Sequence, residues 1–125
     1  FIVREVFVND ISGIIKEGKE ILSVSQKWIE DDSSLNIKIE WMSQILTDTI
    51  KFNADQSIET LNEDTDNISQ YLSKNSPIDN IYKLISVTNS LWNLFSRETN
   101  LRKDYQLNAL FVDWEKYLGI SKKFQ

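Results

Sequence analysis

Scarce turn residues and a helical repeat of apolar side chains predict an all-α fold, a single bundle of five to six helices. Glycine occurs three times and proline once in 125 residues, so long helices are favoured over a succession of turns. Within residues 76–118, Ile81, Leu84, Ile85, Leu91, Trp92 and Phe95 recur at the spacing of one helical face, and Leu107, Leu110, Phe111, Trp114 and Leu118 repeat the pattern. A composition 41% hydrophobic and 26% charged is that of a soluble globular chain, and its length suits one core.

Residues 2–16 carry Val3, Val6, Phe7, Ile11, Ile14 and Ile15 at helical spacing. Gly13 weakens that helix by roughly 1 kcal/mol relative to alanine. Gly18 punctuates, and residues 19–31 form a second helix with Ile21, Leu22, Ser25, Trp28 and Ile29 inward. The polar run 30–34 ends it, and a serine there is placed to cap the next helix. Residues 35–53 make a long helix in which Leu35, Ile39, Met42, Ile45, Leu46, Ile50 and Phe52 give a broad apolar face, with Trp41 beside it. A face this wide meets more than one neighbour.

Residues 54–66 turn polar and acidic, which predicts a surface loop tacked to the core by Ile58 and Leu61. Residues 67–74 form a short helix burying Ile68, Tyr71 and Leu72. Ser76 is a good N-cap, with Pro77 at the first helical position of the helix that follows. Residues 97–100 interrupt the pattern, Asn100 is placed to cap the last helix, and Gly119 supplies the left-handed residue expected at its end. Residues 121–125 read as a frayed tail. The whole of 1–125 reads as one domain. Because it begins at Phe1 and its only methionine is Met42, it reads as a C-terminal fragment of a longer chain.

Charge and residue usage exclude most chemistry. The formal net charge is −5, which opposes a dedicated nucleic-acid surface because phosphate binding needs a positive field. Lys116, Lys122 and Lys123 near a helix end complement its dipole and call for no DNA. With no cysteine and no histidine there are no disulfides, thiolate zinc sites or cysteine nucleophiles, and no imidazole to serve a serine as base. Asp55, Glu59, Glu63, Asp64 and Asp66 crowd one loop, but the glycine and ligand spacing of a calcium loop are missing. Di-iron bundles need Glu-x-x-His pairs, and phosphate cradles need a glycine-rich loop. No metal, cofactor or catalytic group is therefore expected, and no apolar run reaches the ~20 residues of a membrane span. The tryptophans at 28, 41, 92 and 114 lie on or beside apolar stripes, as core or helix-contact residues do.

Three passages resemble the C-terminal collar domain of bacterial DNA polymerase III delta-prime subunits, components of the clamp loader. IEWMSQILTDTIKF at 39–52 is similar to that family's Trp-x-x-x-(Leu/Ile)-Leu-x-Asp-x-(Leu/Ile)-Lys helix through Trp41, Ile45, Leu46, Asp48, Ile50 and Lys51. Leu72 and Ser73 followed by Pro77 resemble its Leu-Ser-x-x-x-Pro helix start. Leu107, Leu110, Phe111, Trp114, Glu115, Tyr117 and Leu118 resemble its last helix. The similarity runs over about residues 4–118. Arg102 stands near where the family commonly has asparagine, and Asn108 near where it has an acidic residue.

The resemblance implies an assembly role. In clamp loaders the C-terminal helical domains tie five subunits into a ring, and delta-prime acts as a stator without a working P-loop. Its nucleotide-facing arginine, zinc cysteines and Ser-Arg-Cys motif belong to upstream domains absent here. Expected partners are the delta and gamma/tau subunits, and the expected compartment is the cytoplasm. No enzyme activity is expected of this domain, even though its parent belongs to the polymerase holoenzyme. Trp92, Phe95, Phe111 and Trp114 are the candidate core or subunit-interface residues. The competing reading is an unrelated acidic helical adaptor or immunity-type domain that binds one partner through the loop at 54–66.

Overall fold

The computed structural model describes residues 2–55, 57, 59–97 and 102–119. Those residues form six helices: α1 (Ile2–Lys16), α2 (Ile21–Glu30), α3 (Leu35–Ala54), α4 (Asp66–Asn75), α5 (Ile78–Arg97) and α6 (Lys103–Leu118). Short 3₁₀ turns at Asp32–Ser34 and Glu63–Thr65 lead into α3 and α4. No strand occurs among the described residues, so the all-α expectation holds.

α3 is the centre. From residue 38 to 52 it has no exposed side chain, because α4 and α5 pack along it and α1 meets it through Phe7 and Trp41. α6 fills the gap between α2 and α5, which brings the last helix against the second. The broad apolar face read from the sequence is thus a face used by several neighbours at once. Ile39, Met42, Ile45 and Leu46 are all fully buried there.

Aromatic rings link the layers. Trp41, Phe7, Trp28 and Phe111 follow one another at centroid distances of 5.1, 5.7 and 5.1 Å, joining α3, α1, α2 and α6 in tilted and edge-on contacts. At one end Arg4 lays its guanidinium 4.9 Å from the Trp41 ring and gives two hydrogen bonds to Asp64.

Beside this chain of rings lies Asp10, sealed within the α1–α2 corner. Its Oδ1 accepts from Lys19 Nζ at 2.9 Å and Lys27 Nζ at 2.8 Å, and its Oδ2 from Trp28 Nε1 at 2.9 Å. Burial by itself would raise the carboxyl, but the bonds from Lys27, Trp28 and Lys19 outweigh it and hold Asp10 below its ordinary value. Gly13 takes part as well. A Cβ there would stand 3.0 Å from Lys19 Cδ, so the residue that weakens the helix lets Lys19 cross α1 to reach Asp10. Gly18 has φ of 73°, the left-handed turn that carries Lys19 back until its amide meets the Gly13 carbonyl at 2.9 Å.

Several expectations are corrected. α2 begins at Ile21 and ends at Glu30, and its buried face is Ile21, Val24, Ser25 and Trp28, which leaves Leu22 facing solvent. Tyr71 is exposed, whereas Ser69 is buried and donates to the Ile45 carbonyl. Ser34 occupies the N-cap position of α3 without capping it, since its hydroxyl donates to Asp31 instead. α5 starts one residue later than predicted. The Pro77 carbonyl accepts from the amides of Asn80 and Ile81, and the Ser76 hydroxyl is buried without a hydrogen-bond partner. Gly119, with φ of 69°, ends α6 as expected. Ile58, Asn100 and residues 121–125 lie outside the described residues.

The acidic loop is held differently from the prediction. Leu61 is exposed, so it does not tack the loop down. A buried carboxylate does: Asp48 on α3 accepts from the amides of Leu61 at 2.8 Å and Asn62 at 3.2 Å, and the Asn62 side chain donates to Gln44 at 2.8 Å. Burial pushes Asp48 up, with the two amides only partly offsetting it.

Candidate functional site

α6 carries apolar residues on both of its faces. Its inner face is the one the sequence singles out. Phe111 and Trp114 are almost fully buried, Phe95 of α5 is buried near them, and Trp92 is half-buried on the α3 side. Trp114 donates its indole N–H to Thr88 Oγ1 at 3.1 Å, a bond that satisfies both buried polar groups and fixes α6 against α5. Phe95 lies under the Lys103 ammonium at 5.8 Å. In the folded domain these four side chains are occupied within it, and Trp92 retains the largest share of accessible surface.

The outer face of α6 holds Tyr105, Ala109, Val112 and Lys116, spaced at i, i+4, i+7 and i+11. Tyr105 is 69% exposed and Val112 49%. Two shoulders widen this stripe. On the α2 side a groove of about 320 Å³ is lined by Leu22, Ser25, Gln26, Ile29, Asp104 and Asn108. The Ser25 hydroxyl donates to Asn108 Oδ1, and Leu22 stands half out of the rim. On the α5 side Val87 is exposed. α5 and α6 run antiparallel, as the Trp114–Thr88 bond and the bond from Asn80 Nδ2 to the Tyr117 carbonyl at 3.0 Å require. The small Ala109 between Tyr105 and Val112 leaves room for another helix to approach closely.

A second open groove, about 350 Å³, lies between α1 and the turn before α4 and is lined by Glu5, Val8, Asn9 and Asp64. Asp64 is held below its ordinary value by the hydrogen bonds from Arg4. No group of three or more His, Cys, Asp or Glu side chains is placed to hold a metal ion among the described residues. No helix of the described residues is long and apolar enough to cross a membrane.

Sequence reasoning leaves Trp92, Phe95, Phe111 and Trp114 as core or interface residues, of which all but Trp92 are buried in the folded domain. It misses Leu22, Tyr105 and Val112, although Tyr105, Ala109 and Val112 recur at helical spacing too. Their stripe is overshadowed by the larger side chains opposite.

Fold and surface together define a helical packing domain whose aromatic residues build much of its core and which leaves apolar side chains exposed on several helices, Tyr105 and Val112 of α6 among them. The chain belongs to the family of C-terminal domains of DNA polymerase III delta subunits, a clamp-loader family. That family's model, described as DNA polymerase III, delta subunit, C terminal, matches residues 3–116. No curated protein and no solved structure matches the chain.

Proposed function

We propose that this domain is the collar oligomerisation domain of a delta-prime-type clamp-loader subunit. In this reading it binds delta and gamma/tau subunits in the cytoplasm and holds its parent in the ring that loads the sliding clamp. It performs no chemistry of its own. Family membership supports the clamp-loader setting. The Trp41-to-Lys51 and Leu107-to-Leu118 resemblances support the delta-prime type. The observation that carries the assembly reading is the outer stripe of α6, where Tyr105 and Val112 spend apolar surface on solvent although the core is complete beneath them.

The test is light scattering on a sizing column with full-length delta and gamma/tau subunits from the same organism. The wild-type chain is expected to elute in a mixed complex. Tyr105→Glu with Val112→Glu is expected to fold normally and elute alone, because exposed positions tolerate charge within about 0.5 kcal/mol. Co-elution with delta supports the delta-prime assignment. A wild-type chain that elutes alone beside every subunit, or a double variant that assembles as well as wild type, overturns the proposal.

One observation favours the adaptor reading as an alternative. Asp55, Glu59, Glu63, Asp64 and Asp66 account for the entire net charge, since the remaining fourteen acids balance the fourteen bases. If a basic partner docks there, reversing Asp55, Glu59 and Glu63 slows association, with a smaller effect at high salt.

A further inference from the structure

Lys38 of α3 is the one lysine buried among the described residues, with 4% of its surface exposed. Its ammonium lies 5.3 Å from the centroid of the Trp28 ring. Among the described residues no hydrogen bond or ion pair reaches it. A lysine is almost never buried without a partner. Two carboxylates stand near enough to attract it, Asp31 and Asp10, but each is engaged elsewhere. Asp10 accepts from Lys19, Lys27 and Trp28, and Asp31 accepts from the hydroxyls of Ser33 and Ser34.

The position is not sealed. Among the described residues, the side-chain polar atoms that are both shut from solvent and without a hydrogen bond are Arg4 Nη1 and Ser76 Oγ. The Lys38 ammonium also lacks such a bond and is not one of them, so it touches water through the narrow opening its exposure leaves. The stem is buried and the tip reaches out.

Burial favours the neutral amine here. Asp31 and Asp10 pull the other way, Lys27 repels the charge, and burial prevails, so Lys38 is held below the ordinary lysine value. A neutral lysine amine is a nucleophile, and lysine is a residue that takes acyl groups. The same surroundings suit the product. Acylation replaces the ammonium by an uncharged amide, and the cost of burying the charge disappears. Neither Asp10 nor Asp31 loses a hydrogen bond by it. Lys19 and Lys27 differ, because acylating either one takes a donor from the buried Asp10.

We infer that Lys38 is a site of covalent acylation by an activated acyl donor of the acyl-phosphate class. The amine lone pair attacks the carbonyl carbon, the N–C bond forms and the C–O bond to phosphate breaks. Phosphate leaves with that electron pair, and the nitrogen gives its extra proton to water. The product is an N-acyl-lysine beside Trp28. The inference is independent of the assembly reading.

The experiment treats the folded wild-type chain with acetyl phosphate near neutral pH and follows each lysine by peptide mass spectrometry. Lys74, exposed on α4, is the reference. Lys38 is expected to acylate at least about threefold faster than Lys74, because the neutral amine is the reacting form. In concentrated urea, which removes the burial, the two rates are expected to converge. Asp31→Asn takes away the larger attraction for the ammonium and is expected to raise the Lys38 rate while leaving that of Lys74 unchanged. Lys38→Met keeps the stem and drops the charge, and its urea midpoint is expected at or above that of wild type. The inference is overturned if Lys38 in the folded chain reacts no faster than Lys74, reacts only in urea, keeps its advantage there, or is unmoved by Asp31→Asn. A lowered midpoint for Lys38→Met also overturns it, since the fold would then need the charge that acylation removes.

Discussion

Asp10 and Asp48 are both sealed from solvent, one at the α1–α2 corner and one beneath the acidic loop, and their surroundings treat the negative charge in opposite ways. Asp10 faces two ammonium groups and an indole N–H and is held below the ordinary carboxyl value of 3.8. Asp48 faces two backbone amides, with Lys51 attracting and Asp66 repelling it from a distance, and burial wins. The difference lies in what each carboxylate connects. Asp10 joins helices that share the aromatic core, while Asp48 ties a loop with little buried apolar surface to a helix. One is a joint of the fold and the other a latch on its surface.

Removing each group is expected to separate these roles. Asp10→Ala leaves the Trp28 N–H buried without an acceptor and two lysines without their partner, although both lysines are half-exposed and can turn to water. A loss of about 2–3 kcal/mol is expected in urea unfolding, with hydrogen-exchange protection falling across all six helices. Asp48→Ala is expected to cost less, about 1–2 kcal/mol, because the freed loop can lift away and solvate its amides. Exchange should then speed at Leu61 and Asn62 while α3 and α5 keep their protection. Global loss of protection in the second variant would erase the distinction between joint and latch.

The subtlest contrast is in pH. For Asp10 the folded value is depressed, so its stabilisation is present above about pH 3.8 and lost as pH falls through the folded value. The cost of Asp10→Asn should therefore be largest near neutrality and shrink in acid. For Asp48 the folded value is raised, so the folded chain holds that proton more tightly. Its favourable contribution is present below about pH 3.8 and is lost as pH rises through the folded value. The cost of Asp48→Asn should be largest in acid and shrink toward neutrality. Parallel pH profiles for the two variants would show that the same force governs both sites.

Local rules expose most of the fold. Helical spacing locates every helix, and the left-handed glycines at 18 and 119 mark where α1 and α6 end. What escapes them depends on distant partners. Nothing near Asp48 in the sequence shows that its carboxylate will meet amides thirteen and fourteen residues on, so hydrophobicity points to Leu61 as the loop's anchor instead. Gly13 reads as a defect because its use depends on the path of Lys19 across it. Leu22 stands exposed where its spacing predicts burial, while Ser25 is buried as expected, with a partner in Asn108 more than eighty residues away. The candidate surface is hidden for a related reason. Hydrophobic pattern identifies which side chains seek burial, and Phe95, Phe111 and Trp114 find it inside the domain.

The near-complete covering of α3 also bears on synthesis. Residues on both sides of it in sequence must be present before its apolar face is shielded, and α5, one of its principal neighbours, ends at Arg97. A nascent chain paused on the ribosome after α4 would display Met42, Ile45 and their neighbours to water or to a chaperone. The domain therefore has no self-sufficient N-terminal half, and cutting it between α4 and α5 should yield two insoluble pieces that become soluble when co-expressed.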